Sequence, residues 1–72
     1  MTKFIVIAEG DLMDAEFGSN DIEQATSVFG QFADSHAFHT IHLYDGETGE
    51  VYAYQTIVHS PEGVTITQWV AN

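Results

Sequence analysis

Apolar and polar residues alternate with a period of two along much of this chain, a spacing typical of β-strands. Residues 3–8 (KFIVIA) are apolar on both faces, which predicts a strand in the centre of a sheet. Three more strands are predicted over residues 37–44, 50–59 and 64–70. The sequences DGETG and SPEG separate these three strands, and their glycines and proline favour tight turns between antiparallel neighbours.

Residues 21–35 have the periodicity of an amphipathic helix. Asn20 is the expected N-cap, and Glu23 sits where it completes a capping-box-like pair. The residues that fall on one face at about 100° per residue are apolar. They are Ile22, Ala25, Phe29, Phe32 and Ala33.

Residues 9–20 (EGDLMDAEFGSN) are predicted to be an irregular acidic loop in which Leu12, Met13 and Phe17 form a short helical turn on the core. The predicted fold is therefore one α+β domain over residues 1–72, with the order β-α-β-β-β. A four-stranded, mainly antiparallel sheet carries one helix on one face. The pattern leaves the pairing direction of the first strand open.

Alternation also assigns the two faces of the sheet. The more aliphatic face is predicted to pack on the helix, and it comprises Val51, Ala53, Ile57, Val64, Ile66 and Val70. Tyr52, Tyr54 and Trp69 are predicted on the opposite face. They form an exposed aromatic interface, or the acidic loop covers them, or they stack as ordinary cross-strand pairs.

Charge changes this picture more than any other property of the chain. Eleven Asp and Glu face a single basic residue, Lys3, and the formal net charge is −10. Internal ion pairing is therefore almost impossible, and the carboxylates must face water, a cation or a basic partner. The same balance argues against direct binding of nucleic acid or of anionic membranes, which relies on Lys and Arg.

The carboxylates are clustered along the sequence. Six lie within fifteen residues, three surround the first predicted turn, and Asp34 joins Glu23 on the outer face of the helix. We predict that these acids bind a basic partner; they are Glu9, Asp11, Asp14, Glu16, Asp21, Glu23, Asp34, Asp45, Glu47 and Glu50. The alternative is a solvated acidic surface that serves solubility.

The sequence favours binding over catalysis. There is no cysteine, which excludes disulfides, thiolate zinc sites and a cysteine nucleophile. No nucleophile elbow or phosphate-binding glycine loop is present, so we predict neither an enzyme nor a cofactor. His39 and His59 are the pair that can meet across the hairpin, but a structural zinc site needs four ligands and no metal is predicted. The apolar run after Lys3 is too short for a signal core or a membrane span, which makes the cytoplasm the expected compartment.

A short, cysteine-free, arginine-free, acidic β-α-β-β-β chain resembles the small phage-encoded anti-CRISPR proteins of the DNA-mimic type, in particular type I-C inhibitors of multisubunit Cascade effectors. The resemblance covers the whole chain in size, charge and layout, and it rests on no diagnostic motif. It implies a Cascade surface as partner, in the cytoplasm of an infected bacterial host. The acids named above would pair with Lys and Arg residues of that surface and block recruitment of target DNA.

Two other functions are compatible with the sequence. The first is a small acidic interaction domain that oligomerises through the face formed by Tyr52, Tyr54 and Trp69. The second is a housekeeping domain of a salt-rich cytoplasm, although such proteins usually keep some arginine, and this chain has none.

Overall fold

A computed structural model describes residues 2–71 and contains one helix and five strands. The elements are β1 (Phe4–Glu9), β2 (Asp14–Ser19), α1 (Ile22–Ser35), β3 (Thr40–Asp45), β4 (Val51–Ser60) and β5 (Gly63–Val70). The strands form one antiparallel sheet in the order β2-β1-β3-β4-β5. The predicted α+β class, with one helix on an antiparallel sheet, is confirmed, whereas the predicted count of four strands is wrong.

The additional strand is β2, which lies inside the stretch predicted to be a loop. It forms a hairpin with β1, and Val6 faces Phe17 while Ala8 faces Ala15. Its Asp, Glu and Gly residues have low strand propensity, which hid the strand from the sequence pattern. As an edge strand, β2 needs only one apolar face. Phe17 therefore packs on the core from a strand and not from the predicted helical turn.

β1 is central, as its two apolar faces predict, because β2 and β3 flank it. Both neighbours run antiparallel to it, which settles the direction that the sequence left open. α1 packs on β1, β2 and β3. Between helix and sheet lies a core of buried side chains: Val6, Ala8, Ala25, Phe29, Phe38, Ile41, Leu43 and Ala53.

The helix begins one residue later than predicted, and its N-cap is Asp21 instead of Asn20. The Asp21 carboxylate accepts a hydrogen bond from the Glu23 backbone N–H at 2.9 Å. Asn20 instead accepts the backbone N–H of Lys3 at 2.9 Å, which ties the end of β2 to the start of β1. At the other end His36 adopts the left-handed conformation with φ 57°, and this ends the helix.

The helix leaves most of the β4–β5 hairpin uncovered, contrary to the predicted helix-packed face. Ala53 is buried, but Val64, Ile66 and Val70 are 58%, 57% and 62% exposed. The added strand β2 explains this difference. With β2 present, the helix packs across β2, β1 and β3, so it is centred on β1. A single helix is too narrow to cover β5 as well.

A bulge at the start of β4 overturns the predicted position of Tyr52. The pairing shifts between Leu43–Ala53 and Tyr44–Val51, so one extra residue enters β4. Tyr52 therefore packs on the helix-side core, with its ring centroid 5.7 Å from that of Phe4. Val51 lies beside Tyr54 and Trp69 on the face of the sheet opposite the helix, which we call the open face. Strict alternation instead predicts Val51 in the core.

Candidate partner-binding surface

The densest group of carboxylates lies on the β1–β2 hairpin, and we call Glu9, Asp11, Asp14 and Glu16 the hairpin acids. Glu9 and Asp14 are directly opposite each other in the β1–β2 ladder, and Glu16 follows two residues later on the same face. Side chains in such positions are about 4.5–5.5 Å apart across the strands, and like charges there are destabilising. The fold thus concentrates negative charge at one edge of the sheet at a cost in stability.

The hairpin acids sit on a turn that is held in place. The Asp14 carboxylate accepts the Gly10 backbone N–H at 3.2 Å. A Cβ at Gly10 would lie 2.5 Å from the carbonyl oxygen of Ala37, so only glycine allows this close approach to the loop before β3. The backbone N–H of His39 also donates to the Glu9 carbonyl at 2.9 Å. These contacts fix where the acidic turn points.

Two further carboxylates flank the start of the helix. Asp21 and Glu23 are exposed, and their negative charge suits the positive end of the helix dipole. Asp34 is exposed near the other end of α1, about 16 Å from Glu23 at 1.5 Å per residue. α1 packs on the face of the sheet that carries Val6 and Phe17, so its acids lie on the other side of the sheet from Glu9, Asp14 and Glu16.

Asp45 is not available to a partner, although the sequence placed it with the binding acids. It is only 5% exposed. Its carboxylate accepts the backbone N–H groups of Glu47 at 2.8 Å and Thr48 at 3.1 Å, and the Tyr52 hydroxyl donates to it at 2.9 Å. The hydrogen bond from Glu47 is the main reason why the pKa of Asp45 lies below its ordinary value of 3.8. Its role is to hold the β3–β4 turn, while Glu47 and Glu50 remain exposed around it.

The hydroxyl of Tyr52 is bound to the same carboxylate. That hydrogen bond is the main cause that raises the pKa of Tyr52 above 10.0, and burial adds to it. Tyr52 is therefore part of the core and the turn, and it does not belong to an exposed aromatic interface.

The exposed acids have almost no cationic neighbours within the protein. Among residues 2–71, one basic side chain lies within 4 Å of an acidic one: His39 Nε2 is 3.8 Å from Asp11 Oδ1. The ammonium group of Lys3 lies instead over the ring of Phe4, 5.7 Å from its centroid. The charge of the surface is consequently left for solvent ions or a partner.

Charge is distributed very unevenly over the fold. Ten of the eleven acids precede Val51, and Glu62 in the β4–β5 turn is the single acid after it. Seven of the acids lie within residues 9–34, on the β1–β2 hairpin and α1, while β5 at the far edge of the sheet is uncharged. The sequence displayed the clusters, but only the strand order shows that the uncharged strand lies at the edge farthest from β2.

Of the three aromatic residues predicted to share a face, Tyr54 and Trp69 do meet on the open face. The rings of Tyr54 and Trp69 stack with centroids 5.9 Å apart, and His42 lies 6.2 Å from Tyr54 on the other side. Trp69 is 45% exposed. These residues and Val51 line a shallow depression.

A groove of about 720 Å³ lies between the overhanging β4–β5 hairpin, the β1–β2 turn and the loop before β3. Leu12, Met13, Phe38, Ile57, Val64 and Ile66 provide its apolar lining, and Asp11, His36, His39 and His59 complete it. His39 and His59 thus line one groove, but among residues 2–71 no three His or carboxylate side chains are arranged to hold a metal ion. The groove was missed from sequence because it depends on the unpredicted β1–β2 hairpin.

No protein-family model, curated protein or solved structure matches this chain. Of the described residues, no helix combines the length and apolar character needed to cross a membrane.

Proposed function

We propose that this protein is a non-catalytic inhibitor that occupies a basic, nucleic-acid-binding surface of another protein by presenting carboxylates in place of phosphates. The observation that carries the proposal is the cluster of exposed hairpin acids at the β2 edge of the sheet. Among residues 2–71, their one basic neighbour within 4 Å is His39, beside Asp11. Duplex DNA carries one negative phosphate charge per ~1.7 Å of its axis, and proteins that bind it present many Lys and Arg side chains to these phosphates. A folded acidic surface competes for the same groove and is steered to it by long-range attraction.

The hairpin acids are the proposed centre of the contact. Their separations, about 4.5–5.5 Å across the strands and about 7 Å along β2, present several charges to one partner groove. The turn that carries them is anchored through Gly10 and Glu9, so little ordering is needed on binding. Glu23 and Asp34 provide a second acidic region on α1, on the helix side of the sheet.

The resemblance to DNA-mimicking anti-CRISPR proteins makes a Cascade complex the proposed partner, and the cytoplasm of an infected bacterial cell the proposed compartment. The inhibitor would compete with target DNA for the complex. The close pairing of Glu9 with Asp14 supports this partner class over a protein that is acidic for solubility alone, since solubility does not require like charges directly opposite each other.

A charge-matched pair of variants tests the proposal. The first carries Glu9→Gln, Asp11→Asn and Glu16→Gln, and leaves Asp14 to hold its turn. The control carries Glu47→Gln, Glu50→Gln and Glu62→Gln, so both variants lose three of the ten net negative charges.

We expect the first variant to bind Cascade roughly tenfold more weakly, because three exposed charge pairs at ~0.5 kcal/mol each approach 1.4 kcal/mol. The control should lose clearly less affinity. Equal losses would assign the effect to total charge and contradict a contact centred on the hairpin acids. Unchanged inhibition by the first variant would contradict mimicry by these residues.

A further inference from the structure

The two edges of the sheet are protected very differently. The edge strand β2 carries Asp14, Glu16 and Gly18, and charge along an edge discourages pairing with another strand. The other edge, β5, has the sequence GVTITQWV, with no charge and no proline. Its register with β4 runs from Ser60–Gly63 to Ala53–Val70 without a shift, so no bulge twists this edge away.

The ladder shows which backbone groups β5 leaves open. The Ala71 N–H donates to the Tyr52 carbonyl at 2.7 Å, and in an antiparallel ladder such bonds recur at every second residue. The odd-numbered residues of β5 are therefore bonded to β4. The backbone N–H and C=O groups of the even-numbered residues point away from the sheet; these residues are Val64, Ile66, Gln68 and Val70.

The side chains of the same four residues lie on the helix side of the sheet, beyond the reach of α1. Every residue of β5 is exposed. An uncovered row of three aliphatic side chains and Gln68 thus coincides with an open row of backbone donors and acceptors, the combination that a further strand would satisfy.

We propose that β5 pairs antiparallel with β5 of a second copy of this chain, which joins the two sheets into one of ten strands. A two-fold axis perpendicular to the sheet sets Val64 against Val70 and Ile66 against Gln68 across the copies. This register joins all four outward-facing residues and keeps both helices on the same side. The pairing is self-complementary, as a symmetric interface requires.

Charge selects this edge for a second copy. Each chain carries a formal charge of −10, so most surfaces of two copies repel each other. β5 is the uncharged edge strand, and β2 lies four strand positions away, ~19 Å at ~4.8 Å per strand. That exceeds the Debye length of ~8 Å at physiological salt, so Asp14 and Glu16 on the β2 strands of the two copies scarcely oppose the contact.

The test is the mass of the full chain by light scattering, from about 1 µM to 1 mM, since an interface of one strand pair belongs to the weak class. We expect a concentration-dependent rise from 8.0 kDa towards twice that mass. Raising the salt should leave the dimer intact or strengthen it, whereas binding to a basic partner weakens with salt. The experiment can therefore contradict the dimer without contradicting the proposed inhibitory function, and the reverse.

Two matched Lys substitutions locate the interface. Ile66 and Val58 are 57% and 58% exposed on the same hairpin, but only Ile66 lies at the edge. Ile66→Lys should raise the dimer Kd at least about tenfold, and Val58→Lys should change it little. The reverse result would place the interface on the open aromatic face and overturn the proposal.

A third variant targets the backbone. Gln68→Pro removes an N–H that points away from β4 and should also abolish the dimer, while Gln68→Ala keeps that N–H and should retain it. In the wild type, the amides of Val64, Ile66, Gln68 and Val70 should become protected from hydrogen exchange as the concentration rises. A chain that is monomeric at 1 mM, or a dimer whose four amides exchange freely, would overturn the proposal.

Discussion

Asp45 and Glu9 show that two carboxylates in one small protein have opposite effects on stability. Asp45 is surrounded by donors and stabilises the β3–β4 turn as an anion. Glu9 faces Asp14 across the β1–β2 ladder and destabilises that hairpin. The sequence does not distinguish them, because both are acids beside a glycine. The difference arises from the partners that the strand register supplies.

Asp45→Asn should lower the thermal unfolding midpoint at neutral pH, because it removes the anion that the turn binds. The pKa of Asp45 is lowered in the folded state, so its contribution to stability is fully present above its ordinary value of 3.8. It disappears as the pH falls through the still lower folded value. The gap between wild type and variant should therefore close below about pH 4. Equal midpoints at pH 7, with Glu47→Gln as the exposed control, would contradict this role.

Glu9→Gln should stabilise the protein by roughly 0.2–1 kcal/mol, because it removes one of two like charges directly opposite each other. Urea unfolding at low salt measures the change, and added salt should reduce it. Glu62→Gln removes an acid outside the strand ladders and should have a smaller effect. If Glu9→Gln is destabilising, the two carboxylates do not repel each other as the register indicates.

At the scale of elements, the sequence pattern located α1, β1, β3, β4 and β5 to within about three residues, because each has an apolar face with a clear period. β2 was missed since an edge strand that is half acidic resembles a loop. That omission also misplaced the helix over the sheet. Tyr52 is the extra residue of the bulge in β4. Because side chains alternate with a period of two, this one-residue shift puts Tyr52 and Val51 on the faces opposite to those that the sequence predicts.

The N-cap offers a direct test at this scale. Asp21→Ala should cost about 1 kcal/mol, because it leaves an amide of the first helical turn without its acceptor. Asp21→Asn keeps an acceptor and should retain most of the stability. Urea unfolding of both variants decides between them; a loss that is equal for Ala and Asn would show that the carboxylate acts through its charge and not as a cap.

At the scale of the whole molecule, the strand order matters most for function. It sends the hairpin acids to one edge and the uncharged strand β5 to the other. The clusters of acids were readable from the sequence, whereas the pairing of Glu9 with Asp14 and the removal of Asp45 from the surface were not. The proposed dimer would place two acidic edges at the far ends of one long sheet, each free to meet a basic partner.

The most direct measurement of the central claim is competition between this protein and labelled target duplex for a purified Cascade complex, at about 150 mM and at about 500 mM salt. The account predicts displacement of duplex at the lower salt and a much weaker effect at the higher salt, after correction for the affinity of the duplex itself. Duplex binding that is unaffected at the lower salt would contradict charge mimicry of DNA on Cascade.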